Sequence, residues 1–128
     1  MEKSYVLGVD FGTDSVRALI VNAADGAELG TAVAEFPRWR QGRFCDPSAN
    51  RFRQHPLDHL EALENAVKLA LEKCPPGSAE LVKGIGVDTT GSSPGPVDSD
   101  GVALGLHPEF ADDPDALFVL WKDHTAVG

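Results

Sequence analysis

Asp10-Phe11-Gly12-Thr13-Asp14-Ser15-Val16-Arg17 gathers a carboxylate, a glycine, two hydroxyls, a second carboxylate and a guanidinium into one short stretch. That mixture suits a phosphate ligand. Gly12 removes the Cβ that would keep a ligand away from the backbone. Turn N–H groups and the hydroxyls of Thr13 and Ser15 can cradle phosphate oxygens, and Arg17 adds positive charge. Asp10 cannot face a phosphate directly, because two anions repel. It suits a magnesium anchor acting through water. The same residues would also make an ordinary Gly-Thr-Asp hairpin turn.

The elements that must present this stretch are legible on either side of it. Tyr5-Val6-Leu7-Gly8-Val9-Asp10-Phe11 is nearly continuous apolar sequence, the pattern of a strand buried on both faces. Ser15 to Val21 reads as a second strand, Asp25-Gly26 as a hairpin turn, and Ala27 to Phe36 as a third strand. Pro56 is placed to start a helix that runs to about Lys73. Leu60, Leu63 and Val67 form its expected buried face. Pro75-Pro76-Gly77 stops the helix, and Leu81 to Asp88 is another strand. A strand, a helical crossover and a strand favour a parallel pair in one sheet. Val97-Asp98 and Val102-Ala103-Leu104 flank a small hairpin, and Leu117-Phe118-Val119-Leu120-Trp121 reads as a last short strand.

Composition narrows the partners. The 128 residues carry a net charge of −9, with 42% hydrophobic residues. A chain this acidic argues against nucleic acid or an anionic membrane as the main partner. The start of the sequence shows no signal-peptide pattern, and no apolar run is long enough to span a bilayer, so the expected compartment is the cytoplasm. Cys45 and Cys74 lack any zinc or disulfide-framework spacing. His55, His59, His107 and His124 show no metal-ligand spacing. Five of the six arginines (Arg38, Arg40, Arg43, Arg51 and Arg53) fall within one short segment. Two readings of that segment stand side by side: a solvated loop whose arginines pair with nearby acids, or a contact surface.

The pattern Asp-x-Gly-Thr-x-Ser-x-Arg resembles the first phosphate loop of the actin-like ATPase superfamily, in particular of the FGGY carbohydrate kinases. Pro37-Arg38-Trp39, Phe44-Cys45-Asp46-Pro47, Arg53-Gln54-His55-Pro56-Leu57-Asp58, Gly86-Val87-Asp88-Thr89-Thr90-Gly91-Ser92-Ser93-Pro94 and Leu120-Trp121-Lys122-Asp123-His124 are similar to the start of those family members that act on L-ribulose. The resemblance implies an α/β, ribonuclease H-like (actin-like ATPase) fold, present in part: three antiparallel strands, a crossover helix, a parallel strand and a small hairpin. It also implies that residues 1–128 are the N-terminal part of the first kinase domain. The second domain, the adenine site and the family's catalytic aspartate would lie outside the chain.

Carried over residue by residue, the resemblance assigns Gly12, Thr13, Asp14, Ser15 and Arg17 to the nucleotide phosphates and Asp10 to the metal. Asp14 stands where relatives such as glycerol kinases have a hydroxyl. Thr89, Thr90, Gly91 and Ser92 form the sugar-side loop, small enough for a ketopentose. Trp121 matches a sugar-stacking tryptophan, with Asp123 beside it. Without the resemblance, Trp121 reads as core and Thr89–Ser92 as a plain connecting loop. The activity implied is ATP- and Mg2+-dependent phosphorylation of L-ribulose at its terminal hydroxyl, a step in arabinose use. No catalytic base falls within the chain, so the chain alone is expected to be inactive. The alternatives are another FGGY kinase, such as one for xylulose, and a binding module with the same fold. The apolar run Leu117–Trp121 further suggests self-association through an uncovered C-terminal strand.

Overall fold

The computed structural model describes residues 3–127. It divides into two compact units. The first contains the chain up to Glu35 together with Glu61–Thr89, and the second contains Phe36–Leu60 and the chain from Thr90 onward.

In the first unit, β1 (Tyr5–Phe11), β2 (Ser15–Asn22) and β3 (Glu28–Glu35) form an antiparallel meander. The β2–β3 turn ends at Gly26, whose φ of +75° is one that only glycine adopts cheaply. The helix α2 (Pro56–Glu72) then leads by way of α3 (Ser78–Leu81) to β6 (Val82–Thr89). β6 lies parallel to β1, and the sheet order is β3-β2-β1-β6. The change in hydrophobic period from two to 3.6 and back predicts this order, and the structure adopts it.

Two details differ from the sequence reading. β1 is covered on one face only: Tyr5, Leu7 and Val9 are buried, while Val6 and Asp10 are exposed. The helix packs through alanines rather than the expected leucines. Ala62, Ala66 and Ala70 are buried, Leu63 and Val67 are half-buried, and Leu60 is 52% exposed. The reason is close approach. A Cβ on Gly30 in β3 would run into the Ala70 carbonyl and would lie 2.9 Å from Cys74 Sγ. At that separation only methyl side chains fit between helix and strand.

The second unit holds α1 (Pro37–Arg40) and a small antiparallel sheet of β4 (Cys45–Asp46), β5 (Arg51–Gln54) and β7 (Phe118–Val119). The arginine-rich segment is thus structured, and three of its arginines are ion-paired. Arg38 meets Asp58, Arg43 meets Asp112, and Arg53 meets Asp115 and Asp123. The small hairpin is present as a Val97–Ala103 antiparallel bridge.

The C-terminal strand is not the uncovered element expected from the sequence. Leu117 and Leu120 are buried, Phe118 and Val119 are half-buried, and β7 pairs with β5. The exposed apolar edge is β6, where Ile85 and Val87 are 65% and 63% exposed.

Buried histidines organise the start of α2. His55 Nδ1 accepts the Leu57 N–H at 3.1 Å, so Nε2 carries the proton and donates to the Ala111 carbonyl at 2.9 Å. Burial pushes the pKa of this imidazole down. His59 stacks on Phe36 at a ring separation of 4.7 Å and meets Phe118 edge-on at 5.1 Å. Burial lowers its pKa from 6.5 to about 4. A lowered histidine pKa gives stability that is complete above pH 6.5 and is lost as pH falls toward 4, because the unfolded chain binds the proton first. Between pH 7 and pH 4 the chain should lose on the order of 3 kcal/mol through His59, at about 1.4 kcal/mol per pKa unit. Urea unfolding of the chain and of His59→Phe across this range is the check. Equal pH slopes for the two proteins would contradict it.

Candidate functional site

The Gly12–Ser15 turn joins β1 to β2 and is closed by the Gly12 N–H donating to the Ser15 carbonyl at 2.8 Å. That N–H is occupied within the turn, so any phosphate cradle must draw on the other groups of the loop. The Ser15 hydroxyl donates its one proton to Asp14 Oδ1 at 3.1 Å, so it must turn from Asp14 to donate to a phosphate oxygen. A Cβ on Gly12 would lie 3.4 Å from the Ser15 carbonyl, an ordinary contact. Packing within the chain therefore does not demand glycine here, whereas close approach of a ligand would.

Strand register places the charges beside this turn. Asp10 lies opposite Arg17 on β2 and opposite Asp88 on β6. All three residues line a shallow cavity of about 380 Å³ on the exposed face of the sheet. Its floor is Gly8 and Gly86, which are register partners. A Cβ on either would meet nothing within 4 Å. The arrangement offers two carboxylates and one guanidinium around an open, Cβ-free floor. Among the described residues there is no group of three or more His, Cys, Asp or Glu able to hold a metal. A magnesium ion held by one or two carboxylates, with water and substrate phosphate filling the rest of its shell, fits such a donor set.

The sugar-side residues divide between the units. Thr89 ends β6, and its N–H donates to Asp88 Oδ1 at 3.0 Å. Thr90, Gly91 and Ser92 open the second unit's loop, with Gly91 and Ser92 exposed. Ser92 adopts a φ of +57°, the left-handed region that disfavours a side chain. Trp121 sits in a turn closed by the Asp123 N–H donating to the Leu120 carbonyl at 2.8 Å, and it is 54% exposed. It is therefore not a core residue. Its neighbour Lys122 places its ammonium 4.4 Å from the Phe52 ring centre and 5.5 Å from that of Trp39.

Asp123 points away from solvent. Its side chain is 1% exposed. Oδ2 accepts from the Phe52 N–H and from Arg53 Nε, both at 2.8 Å. Oδ1 accepts from the Thr125 N–H at 3.0 Å and the Thr125 hydroxyl at 2.7 Å. Burial acts to raise its pKa, but these hydrogen bonds outweigh burial and hold the carboxyl well below the usual range. Asp123 anchors the turn that carries Trp121, and its oxygens are not offered to a ligand. The sequence reading gave no site role to Ser93, Asp58 or Arg53, whose partners Trp121, Arg38 and Asp123 lie 28, 20 and 70 positions away along the chain.

No family model matches the chain. Over 98% of its length the chain is 51% identical to a ribulokinase of Vibrio parahaemolyticus serotype O3:K6. The chain is homologous to ribulokinases. A ribulokinase of Geobacillus thermodenitrificans is 36% identical over 98% of the chain, and one of Mycolicibacterium smegmatis is 37% identical over 95%. The chain spans only 22% of the Vibrio ribulokinase and 23% of the other two. Among solved structures, a xyloylose kinase from Brucella ovis superposes with a TM-score of 0.70, at 24% identity, over 93% of this chain and 21% of its own. That match gives the fold: the ribonuclease H-like order of three antiparallel strands, a helix and a parallel strand is shared with a sugar kinase. No helix among the described residues is long and apolar enough to cross a membrane.

Proposed function

We propose that this chain supplies the phosphate-contacting turn and part of the sugar pocket of an ATP-dependent FGGY kinase that phosphorylates L-ribulose at its terminal hydroxyl, in arabinose catabolism. The observation that carries the proposal is the 51% identity to a ribulokinase across nearly the whole chain. The geometry is consistent with it. In this reading Thr13, Asp14, Ser15 and Arg17 frame the nucleotide phosphates, and Gly12 keeps the backbone clear for their approach. Asp10 holds magnesium through water, on the open side of the sheet. Bound magnesium would neutralise charge on the transferring phosphoryl group. Thr89, Thr90, Gly91 and Ser92 border the sugar, and Trp121 offers its indole face to the sugar's C–H surface. Asp123 serves this pocket from behind by fixing the turn. An ATP-consuming sugar kinase of this kind works in the cytoplasm.

The test is a chimera in which this chain replaces the matching segment of the Vibrio ribulokinase. The chimera should phosphorylate L-ribulose at an ordinary kinase rate of about 1–100 per second, and the chain alone should show no turnover. Asp10→Ala in the chimera should lower kcat by about 100-fold, as loss of a metal-positioning contact does. Undiminished turnover after Asp10→Ala would remove the metal assignment. The alternative is an FGGY kinase of another ketopentose, such as xylulose. A kcat/KM for xylulose above that for L-ribulose would select it.

A further inference from the structure

The indole of Trp121 projects from a turn that is fixed on three sides. Leu120 is buried, and its N–H donates to the Phe52 carbonyl at 3.1 Å. Lys122 is held over two rings, and Asp123 is locked to β5. On the remaining side the Trp121 backbone N–H donates to Ser93 Oγ at 3.2 Å. Ser93 Oγ also lies 3.3 Å from Thr90 Oγ1. A hydroxyl that accepts from Trp121 can still donate to Thr90. One side chain thus ties the exposed indole's backbone to the loop at Thr90–Ser92.

That loop needs holding. Ser92 sits in the left-handed region, which costs an ordinary residue roughly 1–2 kcal/mol. Such strain persists only where the surroundings over-determine the backbone. The surroundings are visible. The Val119 N–H donates to the Pro94 carbonyl at 2.8 Å, and the Phe118 ring occupies the space where a Cβ on Gly95 would stand. Pro94 and Gly95 hold the loop's far end against β7, and Ser93 sets the end that faces Trp121.

We infer that Ser93 is a positioning residue. Its hydroxyl fixes the separation between the Trp121 platform and the Thr90–Ser92 loop, and so sets affinity for the sugar without touching it. The kinetic half of this inference rests on the ketopentose-kinase reading, and the structural half does not. Two measurements separate them. In the 128-residue chain with Trp39→Phe, Trp121 is the sole tryptophan. Ser93→Ala should lower its fluorescence anisotropy, and Ser93→Thr should restore it at an unchanged melting temperature. Unchanged anisotropy in Ser93→Ala overturns the inference whatever the kinetics show.

In the chimera, Ser93→Ala should raise the L-ribulose KM about 10-fold, leave the ATP KM within twofold, and be rescued by Ser93→Thr. Placed on Trp121→Ala, it should add nothing further, because residues acting through one contact are not additive. A full additional 10-fold rise on Trp121→Ala would show that Ser93 acts independently of the indole, which overturns the inference. If the unmodified chimera fails to phosphorylate L-ribulose, the function reading falls, and the anisotropy measurement alone decides the role of Ser93.

Discussion

Asp123→Ala should destabilise the chain by about 3–5 kcal/mol, the cost of removing one partner from a buried ion pair. Arg53 is 7% exposed, and it donates to Asp123 Oδ2 from Nε and to the Pro114 carbonyl from Nη1. Truncation leaves Arg53 Nε and the Phe52 N–H without their acceptor. Against a typical total stability of about 5–15 kcal/mol, this is enough to unfold a marginal domain. Urea unfolding measures it, and a loss below 1 kcal/mol would show that Arg53 finds other partners. Replacing both charges, with Arg53→Met and Asp123→Leu, should recover at least half of the loss, because an apolar pair carries no desolvation cost. The pH dependence has a definite sign. The depressed pKa of Asp123 gives stability present above the unfolded carboxyl pKa of about 3.9 and lost as pH falls below it. This window lies below the one assigned to His59, so the two losses separate along the pH axis.

Asp58→Ala should cost about 3 kcal/mol, for a different reason. Asp58 is fully buried on the first turn of α2. Oδ1 accepts from the Arg38 N–H at 3.2 Å and Arg38 Nη1 at 2.9 Å, and Oδ2 accepts from the Trp39 N–H at 3.0 Å. The short helix α1 has no cap from its own Phe36, so the carboxylate of another helix satisfies its first N–H groups. Each buried donor left without an acceptor costs about 1–3 kcal/mol. Arg38 is 21% exposed and can turn to water, so most of the cost falls on the two backbone groups. Asp58→Asn keeps an acceptor and should cost less than half as much. Thermal melts of the two variants test this, and equal losses would show that charge, not acceptor geometry, governs the site.

Local sequence determined a good deal of this protein. Strand periodicity, Asp25-Gly26 and the helical spacing after Pro56 set β1–β2–β3–α2–β6, because each depends on residues close together in the chain. The residues from Asp10 to Arg17 set the tight turn between β1 and β2 for the same reason. Tertiary structure decided the rest. Gly30 brings α2 so close that Ala62, Ala66 and Ala70 form its buried line, and the leucines of the periodic pattern are displaced outward. Asp123 looks like a ligand contact beside Trp121, yet Arg53, some seventy positions earlier, turns it inward. Trp121 ends an apolar run and reads as core only when the resemblance is set aside, and the turn it occupies leaves it exposed. β7 reads as an uncovered strand, yet it finds β5 and the loop at Pro94. Hydrophobic period and turn chemistry fix where an element forms. Which side of it is buried, and which polar groups are spent on structure, depends on partners that only the folded chain brings near.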